Sequence, residues 1–256
     1  MAFKILKKLK WFLIIPLAVI AFFVIMGIRY SGPLTEKELS EKFIVVNPLD
    51  LSQIRGLSKY RSCAGHDYRG PTVQTSRKES TSRSMKHYIK VKEELRGKNG
   101  VIKAIAPFDG KISNIEKRDP ESKPYDQQIW LTPDTNSKIP RQWNFIFFHI
   151  DLNDGLKEGA KVKAGEIIGT AYMTRGRENS TDNFDMAVKF TKPMSPPAID
   201  FPLAHASDEV LAEYENYGVT LSGLEVLEEY RDQNPCPVSF PATSDFNDYA
   251  YFKEVK

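Results

Sequence analysis

The sequence predicts a mainly β domain, a barrel or sandwich, carried on one apolar amino-terminal helix and followed by a small helical appendage. Three observations predict it. Trp11 to Ile28 is a run of 18 residues without a charge. Between residues 101 and 190, short apolar segments with β-type alternation are punctuated by glycines. Beyond that, Pro193, Pro196, Pro197 and Pro202 end the extended pattern, and a helix start follows at Ser207.

As a helix, the uncharged run would reach about 27 Å, near the thickness of a bilayer's hydrocarbon core. Arg29-Tyr30-Ser31-Gly32-Pro33 follows it in place of a small-residue cleavage site, which favours an uncleaved anchor over a signal peptide. Trp11 and Tyr30 fall at interfacial positions, and Pro16 is tolerable inside a span. Lys4, Lys7, Lys8 and Lys10 precede the run and Arg29 follows it, so residues 1–10 are expected in the cytoplasm and the domain outside. The expected divisions are a tail at 1–10, a transmembrane helix at 11–29, a connector at 30–60, a β domain at 61–192 and an appendage at 193–256.

In the connector, Thr35-Glu36-Lys37-Glu38 fits a capping box for a short helix through about Phe43, which Asn47-Pro48 breaks. The polar run from Thr72 to Ser84 reads as a solvated loop. Val101 to Ile115 reads as a hairpin through Pro107-Phe108-Asp109-Gly110, with Gly110 free to take a positive φ. Asn144 to Ile150 reads as a strand, Gly159 to Ala171 as a short strand between glycines, and Asn183 to Phe190 as the last strand. Ser207-Asp208-Glu209 caps a helix to about Tyr217 with Gly218 as its stop, and Leu224 to Tyr230 suggests a second helix. The only two cysteines, Cys63 and Cys236, are expected to form a disulfide on the outer side. Asn179-Ser180-Thr181 fits a glycosylation sequon.

The formal net charge of +3 comes from the amino-terminal cations, because beyond residue 30 the chain carries 31 basic and 33 acidic residues. That balance supplies no concentrated basic face, and nucleic acid is excluded as a partner class.

Ala106-Pro107-Phe108-Asp109-Gly110-Lys111-Ile112, then Phe147-Phe148-His149-Ile150, then Leu156 to Gly169, then Asn183-Phe184-Asp185-Met186-Ala187-Val188 resemble, in order and spacing, the motifs of the M23 peptidase family. These are the lysostaphin-like zinc endopeptidases that cut cell-wall peptide cross-links, built on the duplicated-hybrid-motif barrel shared with lipoyl and biotinyl domains. The resemblance covers about a third of the chain and implies that barrel. It also implies a site to check. M23 enzymes hold zinc with the His and Asp of an early H-x-x-x-D and the second His of H-x-H, leaving a position open for water.

His149 matches the family's proton-handling histidine and is the one catalytic candidate. Asp185 stands where the ligand histidine of H-x-H is expected, and Asn183 where the other histidine stands. His87 lies about the right distance before Asp109, but Val91 occupies the place of the early aspartate. His66 and Asp67 lie farther upstream and fit the spacing no better. Zinc held by His87, Asp185 and His66 or Asp67 is therefore an alternative to no cofactor at all. Each residue also has a plainer reading: His149 hydrogen-bonded to backbone, His87 packed in a strand, Asp109-Gly110 shaping a turn, Asp185 facing water, His205 structural.

The resemblance, with its missing ligands, implies a non-catalytic, membrane-anchored module that binds or regulates an envelope peptide or protein. Tyr125, Trp130, Trp143 and Tyr172 would line its groove. The alternative is a remodelled zinc metallopeptidase acting on envelope peptides. A carrier-domain reading of Lys86 in Met85-Lys86-His87 fails, because that lysine precedes the first core strand instead of lying at a hairpin tip.

Overall fold

The computed structural model describes residues 2–119, 123–134, 140–173, 183–237, 240 and 246–253. In chain order these form α1 (Ala2–Tyr30), α2 (Glu36–Leu39), β1 (Ile54–Ser58), β2 (His87–Val91), β3 (Lys103–Ile105), β4 (Gly110–Asp119), β5 (Asp126–Pro133), β6 (Gln142–Leu152), β7 (Lys161–Val162), β8 (Ile167–Ala171), β9 (Asn183–Thr191), β10 (Ala198–Asp200), α3 (Asp208–Asn216), α4 (Glu228–Gln233) and β11 (Tyr249–Tyr251). The domain is mainly β. Its strands form one antiparallel sheet with the main order β11-β1-β2-β9-β6-β5-β4-β7, while β10 pairs with β9 and β8 bridges β6 to β3. The sheet is open, with β11 and β7 at its ends, so the expected barrel does not close.

Alternation decides which face is core. On β9, Phe184, Met186, Val188 and Phe190 point inward to meet Phe145 and Phe147 of β6 and Ile89 of β2. The opposite face carries a second apolar cluster of Ile146, Phe148 and Ala187, packed under Tyr68 and Trp130. Trp143, expected in a groove, is fully buried in the main core against Phe43, Phe190 and His205. His205 hydrogen-bonds Asp200 through Nε2 at 3.0 Å and reaches the Glu41 carbonyl through Nδ1 at 2.8 Å.

Several local expectations change. Val101 to Ile115 is not a hairpin: β3 pairs with β8, whereas β4 pairs with β5 and β7. The Pro107-Phe108 link instead crosses through the core, with Phe108 buried and the Pro107 carbonyl accepting from the amides of Val45 and Val46. Gly110 is not among the glycines with positive φ. It is needed for close approach, since a Cβ there would lie 2.3 Å from the Thr132 carbonyl oxygen.

The Thr72–Ser84 run is not simply solvated. Glu79, Arg83 and Ser84 are buried, and Glu79 pairs with both Arg61 and Arg83. The capping box at Thr35 and Glu38 is present, but its helix stops at Leu39. The cap at Ser207 and the stop at Gly218 hold, the latter with φ 76°. The second carboxy-terminal helix begins later than expected, at Glu228.

The ends of the domain are not appendages in packing terms. Phe43, Ile44 and Leu49 of the connector are buried, Ile44 bridges to Ala206, and β10 and β11 extend the sheet itself. The disulfide between Cys63 and Cys236 forms across 173 residues of chain. Along α1, Ile14, Leu17, Ile20, Phe23, Val24 and Ile28 are each more than half exposed. Among the described residues no helix is long and apolar enough to cross a membrane. The uncharged run begins at Trp11, ahead of Ile14, the first residue of α1 whose side chain is described. The Asn179 sequon lies outside the described residues.

Candidate functional site

The site forms on the sheet face opposite the main core, and a bulge in β6 creates it. Phe147 pairs with Ile129 and Ile150 with Gln127, so three steps along β6 match two along β5. The extra residue restores Ile150 and Leu152 to the core and turns both Phe148 and His149 to the other face. His149 takes φ 60° to do this, a conformation an L side chain adopts at a cost of about 1–2 kcal/mol.

His149 is held from one side by β5. Its Nδ1 lies 3.1 Å from each carboxylate oxygen of Asp126, the first residue of that strand. Its Nε2 faces Asp185 Oδ1 at 3.9 Å, beyond hydrogen-bonding distance. Asp185 sits directly across from Phe148 on β9, fully buried.

The partner of Asp185 is Lys86. The Lys86 ammonium pairs with Asp185 Oδ2, and both side chains are withdrawn from solvent. Three rings surround the ammonium, with centroids of Tyr68 and Tyr88 at 4.7 Å and of Phe148 at 4.4 Å. Each π face favours a cation in this position. Burial pushes the Lys86 amine down, and the Asp185 carboxylate opposes that shift. Asp185 Oδ1 has no hydrogen-bond partner among the described residues.

Residues 61–70 run across this face and exclude water from it. Tyr68 packs edge-on against Phe148, and its backbone bonds to Arg83 and Met85. The segment is fastened beneath by the Cys63–Cys236 disulfide and by Arg61, which pairs with Glu79 and Glu225. His66 hydrogen-bonds the Tyr88 hydroxyl through Nδ1 at 2.8 Å, and its imidazole is pushed down first by burial and then by the nearby Lys86 charge. Asp67 is taken up by Arg69 through both oxygens, at 2.6 and 2.8 Å.

Farther along the face, Lys189 lies 5.0 Å from the Tyr68 ring and 5.6 Å from the Trp130 ring. Burial and the Lys86 charge lower its amine to about 8. Arg118 stacks over Phe148 at 5.6 Å and donates to Gln128 at 2.6 Å. The indole N–H of Trp130 is buried without a partner among the described residues.

The structure therefore brings His149, Asp185 and the neighbourhood of His66 together, and leaves His87 and Asp67 out. His87 is on the wrong face. On β2 it sits opposite Met186, packs on Phe201, and uses Nδ1 against the Ser58 carbonyl at 2.6 Å. Its Nε2 is buried without a partner among the described residues, and burial lowers its imidazole to about 4. Among the described residues no group of three His, Cys, Asp or Glu side chains is placed to hold a metal ion. The Asp185 carboxylate, the candidate ligand on this face, is paired through Oδ2 with the Lys86 ammonium.

In the sequence Lys86 is weighed only as a carrier lysine, and Asp126 and the aromatic trio are not read as parts of a site. The signal for Lys86 was alternation: with Met85, Ile89 and Val91 in the core, Lys86 must share the outer face with Tyr88 and, across the ladder, Asp185. No signal in the sequence joins Asp126 to His149, since a bulge sets their meeting. No family model matches the chain, and no curated protein matches it.

Proposed function

We propose that the chain is a membrane-anchored, extracytoplasmic binding module with the M23-type arrangement and no M23 chemistry, and that its groove takes a peptide or protein of the cell envelope. One observation carries the non-catalytic reading. A buried lysine ammonium, paired with Asp185 and enclosed by Tyr68, Tyr88 and Phe148, stands where a catalytic cation would have to sit. A lysine cannot polarise a water as a divalent metal does, because it has no open coordination position. Beside it, the exposed Arg118 guanidinium, the half-buried Lys189 amine and the partly exposed Trp130 ring suit the carboxylates, carbonyls and apolar side chains of a peptide.

The anchor is α1. Its uncharged run from Trp11 to Ile28 and the exposed apolar side chains along its outer half support that reading.

The test uses the full chain in detergent micelles with soluble cell-wall stem peptides and added zinc. Trp130 emission should change saturably, the change should vanish in Trp130→Phe, and chromatography should recover the peptides intact. Zinc-dependent cleavage that disappears in His149→Ala would replace this reading with the remodelled metallopeptidase.

A further inference from the structure

We infer that the Pro193–Pro197 loop is a second membrane contact, seated in the leaflet from which α1 emerges. This rests on the reading of α1 as an anchor. Met194 at the loop's tip is 82% exposed, the most exposed large apolar side chain among the described residues, and is held at φ 56°. A non-glycine residue in that conformation holds its side chain out at a cost, which needs a reason.

The loop lies against α1 itself. Gly27 is buried on a helix whose neighbouring residues Ile25 and Ile28 are exposed, and Met194 is what covers it. A Cβ at Gly27 would stand 2.3 Å from the Met194 sulfur, so the Met194 side chain lies directly on the helix at the one place without a side chain of its own. Ile20, Phe23, Gly27 and Tyr30 of the helix and Pro193 and Met194 of the loop line one apolar groove.

The domain grips the helix end so that this relation is fixed. Arg141 donates to the carbonyls of Tyr30, Gly32 and Pro33 at 2.8–2.9 Å and pairs with Glu38 at 2.7 Å. Lys192, two residues before Met194, donates to the Gly32 carbonyl at 2.9 Å. The last carbonyl of α1, that of Tyr30, and two carbonyls of the turn that follows are thereby satisfied by the domain.

Gly27 falls inside the uncharged run, about 4.5 Å along the helix axis from Tyr30. With that run in hydrocarbon and Tyr30 in the interface, Met194 lies at the boundary of headgroups and acyl chains. Its occupant is then lipid. The loop would set the domain's tilt and the direction in which its groove faces.

The test is made on the full chain in vesicles of phosphatidylethanolamine and phosphatidylglycerol, with the native disulfide intact and an environment-sensitive dye on Met194→Cys or, separately, Phe22→Cys. Both dyes should lose emission to nitroxide-labelled lipid and resist aqueous iodide. A dye at 194 open to iodide, or shielded from both quenchers, while the dye at 22 is quenched by lipid, overturns the loop contact and leaves the anchor standing. Both dyes open to iodide overturns the anchor and the loop contact with it.

Discussion

Replacing Lys86 with Met removes the ammonium that pairs with Asp185 while keeping most of the side-chain volume. Lys86 is 2% exposed and Asp185 fully buried, so water cannot take the ammonium's place without a rearrangement of Tyr68 and the 61–70 segment above it. A buried ion pair broken from one side costs about 3–5 kcal/mol, because the remaining charge is stranded. Lys86→Met should lose stability in that range, and Asp185→Leu should lose a comparable amount by leaving the ammonium with only its rings. The double variant Lys86→Met/Asp185→Leu should lose less than either single change, since two apolar groups of similar size replace the pair. Urea unfolding of the full chain in micelles, followed by near-ultraviolet circular dichroism, measures all four proteins. Raised salt should change the ranking little, because screening acts poorly on buried charges. Single variants within about 1 kcal/mol of the parent, or a double variant at the sum of the two losses, would refute a buried, mutually dependent pair.

Three further outcomes follow from the same geometry. The His87 imidazole is lowered to about 4 by full burial, so the unfolded chain binds a proton that the folded chain refuses between its ordinary value near 6.5 and about 4. Stability should be intact above that window and fall by about 3 kcal/mol across it as the pH drops; His87→Phe should flatten this part of the pH profile, and an unchanged slope would contradict it. Gly110→Ala should cost about 1–3 kcal/mol, because the new methyl group meets the backbone oxygen of Thr132; a thermal melt that does not move would show that the close approach is unnecessary. At the bulge, both His149→Gly and His149→Ala lose the Asp126 contact, but only glycine is at ease at φ 60°. The glycine variant should be as stable as the alanine variant or better by up to about 1 kcal/mol, and a more stable alanine variant would count against the strained bulge.

What the sequence revealed and what it hid divide along one physical line. Signals that act over a few residues were legible: the Thr35 capping box, the Ser207 cap, the Gly218 stop, and the alternating strands on either side of His149. The disulfide was legible because two cysteines leave one possible pair within the chain. Features that depend on which strands meet were not. The 101–115 stretch looks like a hairpin locally, but β3 finds β8 and β4 finds β5, because burying Phe108 sends the chain across the core. His87 and Asp185 looked like partners by residue type, yet period-two geometry puts them on opposite faces and gives Asp185 to Lys86 instead. Asp185 alternates with core residues as a solvent-facing residue would. Its burial comes from a segment more than a hundred residues earlier, held down by a disulfide and by the Glu79 ion pairs. His149 reaches that face only through an extra residue in β6, which no spacing rule displays.

The Lys86 ammonium occupies the place a metal would need beside Asp185. The most direct measurement is the zinc content of the full chain, purified in the presence of zinc and compared with Lys86→Ala, His149→Ala and Asp185→Ala. The pair between Lys86 and Asp185 predicts no stoichiometric zinc in the parent and no change in the His149 and Asp185 variants. One zinc per parent chain, lost in both of those variants, would contradict it.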